Sequence, residues 1–346
     1  MTLGRGRTSH YLRVLGSAAL AAGAVLAAAG CSQAPAPASA AGGTSHALTL
    51  AAAQAAYNHY VTISTQSAAQ GNEVKILALT ADEQWSYLHT QYATLAAAGT
   101  PVPTYKYGRP VFYVPALAGY PYWFLVAVPV RTDTKGQLGP AVNTLMLFQR
   151  SSATGIWTLN GTAVLDQPLP AIARDSEGYA VNVTNGDPNL LLPPYLVGAT
   201  QAAVVDEGAA NPASAVIASG PLTTGLYATQ TAQEKSLTAQ GLTYEFLLQS
   251  ASYAEYQMQT ANGGALVLYA MYLNTQTEHP GDVAGTPIQV PAAVRPLLTD
   301  PTAVGVHGVV ANFTFEYAAV DPPSTAHGAK VNVIASSGGP TYGHAY

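Results

Sequence analysis

The sequence predicts an α+β protein in which helices precede antiparallel strands twice in succession, behind an apolar leader and a flexible tether. Three observations carry that expectation. Helix-forming segments fill Ala47 to Gly99 and again Tyr195 to Gln240. Each is followed by short runs rich in Val, Tyr, Phe and Trp, cut by Gly, Pro, Asp or Ser, which is how strands and their turns are written. A Pro-rich connection separates the two rounds.

Ahead of both rounds, Arg5, Arg7 and Arg13 surround the start of an uncharged Ala/Leu/Val run, Val14 to Cys31, ending in small residues. A basic region, an apolar region of moderate length and a small-residue cut site describe a secretory signal peptide over residues 1–30. Ala28-Ala29-Gly30-Cys31 resembles the lipobox of bacterial lipoproteins, with Ala28 where Leu is commonest. By that resemblance the leader is cleaved before Cys31, whose thiol carries a diacylglycerol. The run is weakly apolar and short for a span needing ~20 residues, so the expectation is a lipid anchor on the outer face of the cytoplasmic membrane. Residues 31–45, SQAPAPASAAGGT among them, cannot bury a core and read as a tether.

Thirteen basic residues, three of them in the leader, leave ten against 18 acidic ones, a formal charge of −8 for the mature chain. That excludes a nucleic-acid binder, which needs clustered Lys and Arg. Charged residues are 9% of the chain against about 25% in ordinary domains, so Thr, Ser, Gln, Asn and many of the 21 tyrosines must carry the surface. Cys31 is the sequence's one cysteine, so no intramolecular disulfide is expected.

Residues 46–176 form the first expected module. Leu50, Tyr57, Tyr60 and Val61 are spaced to share one side of a helix, and Glu73 to Leu79 continues it. Thr80-Ala81-Asp82-Glu83 fits a capping box opening a helix that Gly99-Thr100-Pro101 stops. Strands are expected at Tyr105–Val114, Tyr120–Arg131, Val142–Arg150 and Ile156–Leu165. Both faces of Tyr120–Arg131 are apolar, so it should be central and covered twice, with Pro129 marking a bulge or edge.

The connection runs from Asp166 to Pro194, its last part, 177–194, dividing the modules. Residues 195–346 form the second, with helices at Tyr195–Glu207, after the Asn211-Pro212 cap to Ser219, and at Pro221–Gln240, broken at Gly225. Strands are expected at Leu242–Gln249, Tyr253–Thr260, Ala265–Thr275, Val306–Val320 and Lys330–Ser336, with a long loop at 276–303 and a mobile tail at 337–346.

Helices first and a twisted antiparallel sheet after, in two consecutive modules, resembles a tandem of NTF2-like (cystatin-like) domains. With the lipobox, the VFYVP and YWFLVAV strands, LFQR followed by WTLNG, and LPAIARDSEGYAV, the chain resembles an uncharacterised family of actinobacterial lipoproteins, a domain of unknown function. The resemblance implies curved sheets that wrap helices around a cone-shaped pocket; some NTF2-like relatives are isomerases or dehydratases, and many only bind or pack.

The histidines are scattered without HxH or HExxH spacing, so no metal and no cofactor is expected. GxSxG and phosphate-loop patterns do not occur. The one acid/base set is His59, His89 and Tyr92, which could face the first cone and support a cofactor-free isomerase or dehydratase. Tyr57, Tyr60, Trp85, Tyr92, Tyr122 and Trp123 are candidate pocket-lining residues for a small neutral ligand, and Tyr244, Tyr253, Tyr256, Tyr269 and Tyr272 form a similar set in the second module. The function these features favour is non-enzymatic: a lipid-anchored protein binding an envelope protein, a glycan or a small neutral ligand.

Overall fold

Why the chain alternates helix and sheet is clearest in its first helix. The computed structural model describes residues 47–346 except Lys135 and Val283, with the backbone alone for Asp282; the leader, Cys31 and the tether lie outside the described residues. In α1 (Leu50–Gln70) the Thr49 side chain caps the first turn by accepting from the Ala52 N–H, and Gly71 ends the helix in the left-handed conformation. Ala53, Ala56, Tyr57 and Tyr60 form the buried stripe. Leu50, expected on that side, is exposed, because the stripe runs through the alanines that let α1 approach the sheet.

A short α2 (Glu73–Leu77) leads to α3 (Asp82–Ala97). The capping box expected at Thr80–Glu83 is not formed. Ala81 is the N-cap with no side-chain bond, and the Thr80 hydroxyl donates instead to the Leu77 carbonyl. Asp82 takes a left-handed φ of 53°, a conformation Asp tolerates better than most residues. Glu83 does not reach back to the cap; it is buried.

The first half supplies β1 (Thr104–Tyr107), β2 (Val111–Tyr113), β3 (Tyr122–Thr134), β4 (Gln137–Leu138), β5 (Val142–Arg150) and β6 (Thr158–Leu165). The segment expected as one strand, Tyr105–Val114, splits into β1 and β2. Both pair with β3, and the break lies opposite Pro129, whose carbonyl accepts from the Gly108 N–H. A proline has no N–H to offer a partner, so the neighbouring strand gives way beside it. As expected for a strand apolar on both faces, β3 is central: Phe124, Val126 and Val128 pack with α1, and Trp123 and Leu125 pack behind.

The second half supplies α4 (Pro194–Glu207), α5 (Thr224–Thr238), β7 (Thr243–Ser250), β8 (Tyr256–Gln259), β9 (Ala265–Glu278), β10 (Gly308–Asp321) and β11 (Asn332–Ala345). Between α4 and α5, Asn211 caps a single 3-10 turn at Pro212–Ala215. The helix expected from Pro221 begins only at Thr224, with Gly225 as its second residue, and is unbroken from there. The expected mobile tail is strand instead. Gly338 makes this possible: at φ 152° a Cβ there would sit 2.1 Å from the Thr314 carbonyl oxygen, so only glycine lets β11 lie this close along β10.

One antiparallel sheet threads both halves in the order β1-β3-β5-β6-β11-β10-β9-β7, with β2 and β4 beside β3 and β8 beside β9. The halves meet where β6 pairs β11 through Leu165↔Ala335 and Val164↔Ser336. The described residues from Ala47 to Tyr346 belong to one compact unit. α1 and α3 cover one face of the first half, and α4 covers one face of the second. The opposite faces share a core, in which Leu125, Leu145 and Leu147 group with Met258, Leu266, Leu268 and Ile334, and Trp123 meets the Tyr256 ring edge-on at 5.3 Å. The loop at 276–303 carries its own small core, Ile288, Val290, Val294 and Leu298 against Val309 and Ala311. Among the described residues, no helix is long and apolar enough to cross a membrane.

Candidate functional site

The cavity-lining side of α5 reads Leu226, Gln230, Gln233, Leu237, at three- and four-residue steps, and Gln240 follows just past its end. A face that alternates leucine and glutamine cannot pack dry onto an apolar sheet without stranding amides. Beneath it lies a cavity of about 740 Å3, floored by Leu273, Val309, Ala311, Phe313 and Phe315 and walled by Thr275, Thr277, Tyr244 and residues 286–289. The Phe313 and Phe315 rings lie parallel at 6.3 Å along the floor. Tyr244 donates its hydroxyl to the Gln230 side chain at 2.6 Å, and burial lifts its pKa to about 12, so it stays a neutral phenol. At the rim, His279 Nε2 lies 2.9 Å from the Thr286 carbonyl oxygen. None of the described lining residues is Asp, Glu, Lys or Arg.

A size of this order is that of a pocket for one small organic molecule. The apolar floor and the amide and hydroxyl walls suit a ligand with one apolar and one hydrogen-bonding side. Of the second tyrosine set, Tyr244 lines this cavity. Tyr269 is buried and donates to Gln201 at 2.7 Å, Tyr256 sits in the shared core, and Tyr253 and Tyr272 pair edge-on at 6.2 Å. The glutamine face of α5 is written in the sequence as spacing alone, with no aromatic cluster on the helix to mark it.

In the first half a cavity of about 210 Å3 opens between α1, α3 and the sheet. Tyr60 and Tyr92 line it, together with Tyr87, Tyr105 and Tyr107, none of which was among the sequence candidates. The other candidates lie elsewhere. Tyr57 is buried behind this cavity against Phe112, Phe148 and Tyr107; Tyr122 lies against Tyr120 at 4.1 Å; Trp123 faces the shared core. Trp85 is exposed and stacks on His89 at 5.1 Å.

The acid/base set is not assembled. His59 and His89 are both exposed, with His89 Nδ1 at 3.8 Å from Glu73, while Tyr92 points inward. His59 and His89 fall outside the buried stripes of α1 and α3, so the proton relay drawn from sequence has no geometry to run on. Among the described residues, no group of three or more His, Cys, Asp or Glu could hold a metal ion.

Between the halves lies a polar layer that sequence reasoning missed. Glu83 from the start of α3 meets Glu316 from β10, carboxyl to carboxyl. Gly161 of β6 makes room: a Cβ there would fall 2.6 Å from Glu83 Oε1 and 2.9 Å from Glu316 Cδ. Asn160, the residue of the β6 bulge, donates to Asp82 at 2.5 Å and to Gln149 at 2.9 Å, and Thr162 donates to Gln84 at 2.9 Å. Burial raises the Glu83 pKa to about 7, and burial plus the Glu83 charge raises Glu316 well above the carboxylate range, so the pair holds a proton at neutral pH. In sequence Glu83 completes a capping box; only its tertiary neighbour gives it another meaning.

A family model described as a domain of unknown function, DUF8094, matches residues 44–343. The chain belongs to the DUF8094 family. That match covers both cavities and the carboxyl layer between them. This DUF8094 protein is also 27% identical over 202 residues to an uncharacterized lipoprotein of Streptomyces avermitilis, covering 57% of this chain and 56% of that protein. The chain thus spans little more than half the length of that curated relative. No solved structure matches it.

Proposed function

We propose that this chain is a lipid-anchored protein of the extracytoplasmic membrane face, that its two halves are NTF2-like modules fused along their sheets, and that it binds a small uncharged ligand without transforming it. The observation that carries the reading is the 740 Å3 cavity with no charged side chain in its described lining. The leader-like segment ahead of Cys31 and the lipoprotein name of the Streptomyces avermitilis relative support the anchor. The helix-then-sheet order, repeated, supports the modules. The ligand class that fits is a neutral, amphipathic component of the envelope, held by its apolar side on Phe313 and Phe315 and by its polar side on the glutamines of α5. Native mass spectrometry of the full chain purified from membranes tests this. One neutral small molecule per chain, lost in Thr277→Trp, is the expected outcome. A wild-type cavity that is empty and takes up no neutral probe such as N-phenyl-1-naphthylamine overturns the reading.

A further inference from the structure

The smaller cavity differs from the larger in what lies at its inner end. It shares Gln84, Tyr87, Thr162 and Ser337 with a recess of about 10 Å3, room for about one water. Glu83 and Glu316 form the far wall of that recess. Glu83 is 6% exposed and its Oε2 has no hydrogen-bond partner. A buried acceptor left unmatched costs about 1–3 kcal/mol, and here it belongs to a carboxyl group that lines a recess bordering the cavity.

We propose that the tyrosine-lined cavity of the first half is a second binding site, selective for a small primary ammonium ion whose N–H groups reach Glu83 through the recess. Three features single out that ligand class. None of the described residues lining the cavity or the recess is Lys, Arg or His, so the nearest full charges are acidic. An anion is repelled by them, and a neutral molecule gains nothing from a field that burial leaves weakly screened. A bare metal ion lacks the donors, since no set of three ligating side chains occurs among the described residues. An alkyl ammonium instead offers a chain to Leu88, Val102, Met146 and Leu159 and a cation to the phenol rings and carboxyl pair.

The groups facing the carboxyl pair are Asp82 and Tyr87 from α3, Tyr253 and Tyr256 from the β8 hairpin, and Tyr269 from β9. Burial holds all four phenols above their usual range, so between pH 6 and pH 8 the pair itself changes charge while they stay neutral. Ammonium affinity therefore rises with pH across that interval.

Isothermal titration of the full chain in detergent with n-butylammonium, and with n-butanol as its neutral counterpart, tests the site. The expected result is one site per chain for n-butylammonium, at least tenfold weaker binding of n-butanol, and at least a tenfold loss in Glu83→Gln. Should that variant fail to fold, the wild-type pH series still decides: n-butylammonium affinity is expected to rise several-fold from pH 6 to pH 8. Equal affinity for the alcohol, a flat pH series or no binding of n-butylammonium would each overturn the proposal. The larger cavity is untouched by any of these outcomes.

Discussion

Raising the pH should weaken this protein through Glu83, and the size of the effect follows from its surroundings. In the unfolded chain Glu83 titrates near its ordinary value of 4.5; in the fold, burial moves it to about 7. Between those values the native state binds the proton more tightly than the unfolded state, so stability falls as pH rises. The contribution is fully present below the unfolded value and is lost as pH climbs through the folded one. A shift of this size corresponds to about 3 kcal/mol. Urea titrations of the full chain at pH 5, 6, 7 and 8 should show the loss. With m-values near 3 kcal/mol/M the midpoint drops by about 1 M from this residue alone. Asp321, fully buried and raised to about 7, adds a loss of the same sign, so the comparison that isolates Glu83 is between slopes. Glu83→Gln cannot ionise, and its midpoint should fall less steeply than that of the wild type. Parallel slopes in the two proteins would refute the shared-proton reading of the pair.

Gly161→Ala should push a methyl group against Glu83 and Glu316 and cost about 1–3 kcal/mol, read as a lowered Tm. Gln201→Leu strands two groups at once, the Tyr269 hydroxyl and the Leu222 carbonyl that Gln201 bridges, and should cost about 2 kcal/mol or more in urea denaturation. Cys31→Ala should leave the protein in the medium or as an unprocessed precursor in a fractionation blot; a membrane-held chain of mature size would count against lipidation.

Much of the fold is legible because it is local. The periods of α1, α3 and α4, the two-faced apolar pattern of β3 and the Asn211 cap are each written within a dozen residues. What could not be read depends on residues far apart. Thr80 and Glu83 look like a capping box until Glu316, more than two hundred positions on, draws Glu83 into the seam. The SSGGPTYGHAY ending looks mobile because Gly and Pro usually mark turns; here the small residues are what allow β11 under α3 and along β10. The large cavity was legible as a glutamine-leucine rhythm on α5, and the small one only in part, through Tyr60 and Tyr92.

The place of β11 in the sheet bears on how the molecule is assembled. This strand is delivered by the ribosome after all the others, yet it occupies the middle of the strand order, bonded to β6 on one side and β10 on the other. Until it arrives, β6 is paired on its β5 side alone, and the sheet is not continuous from one half to the other. Pairings this distant in sequence make for slow, late closure. A chain still short of its last strand is therefore a chain whose keystone is not yet set.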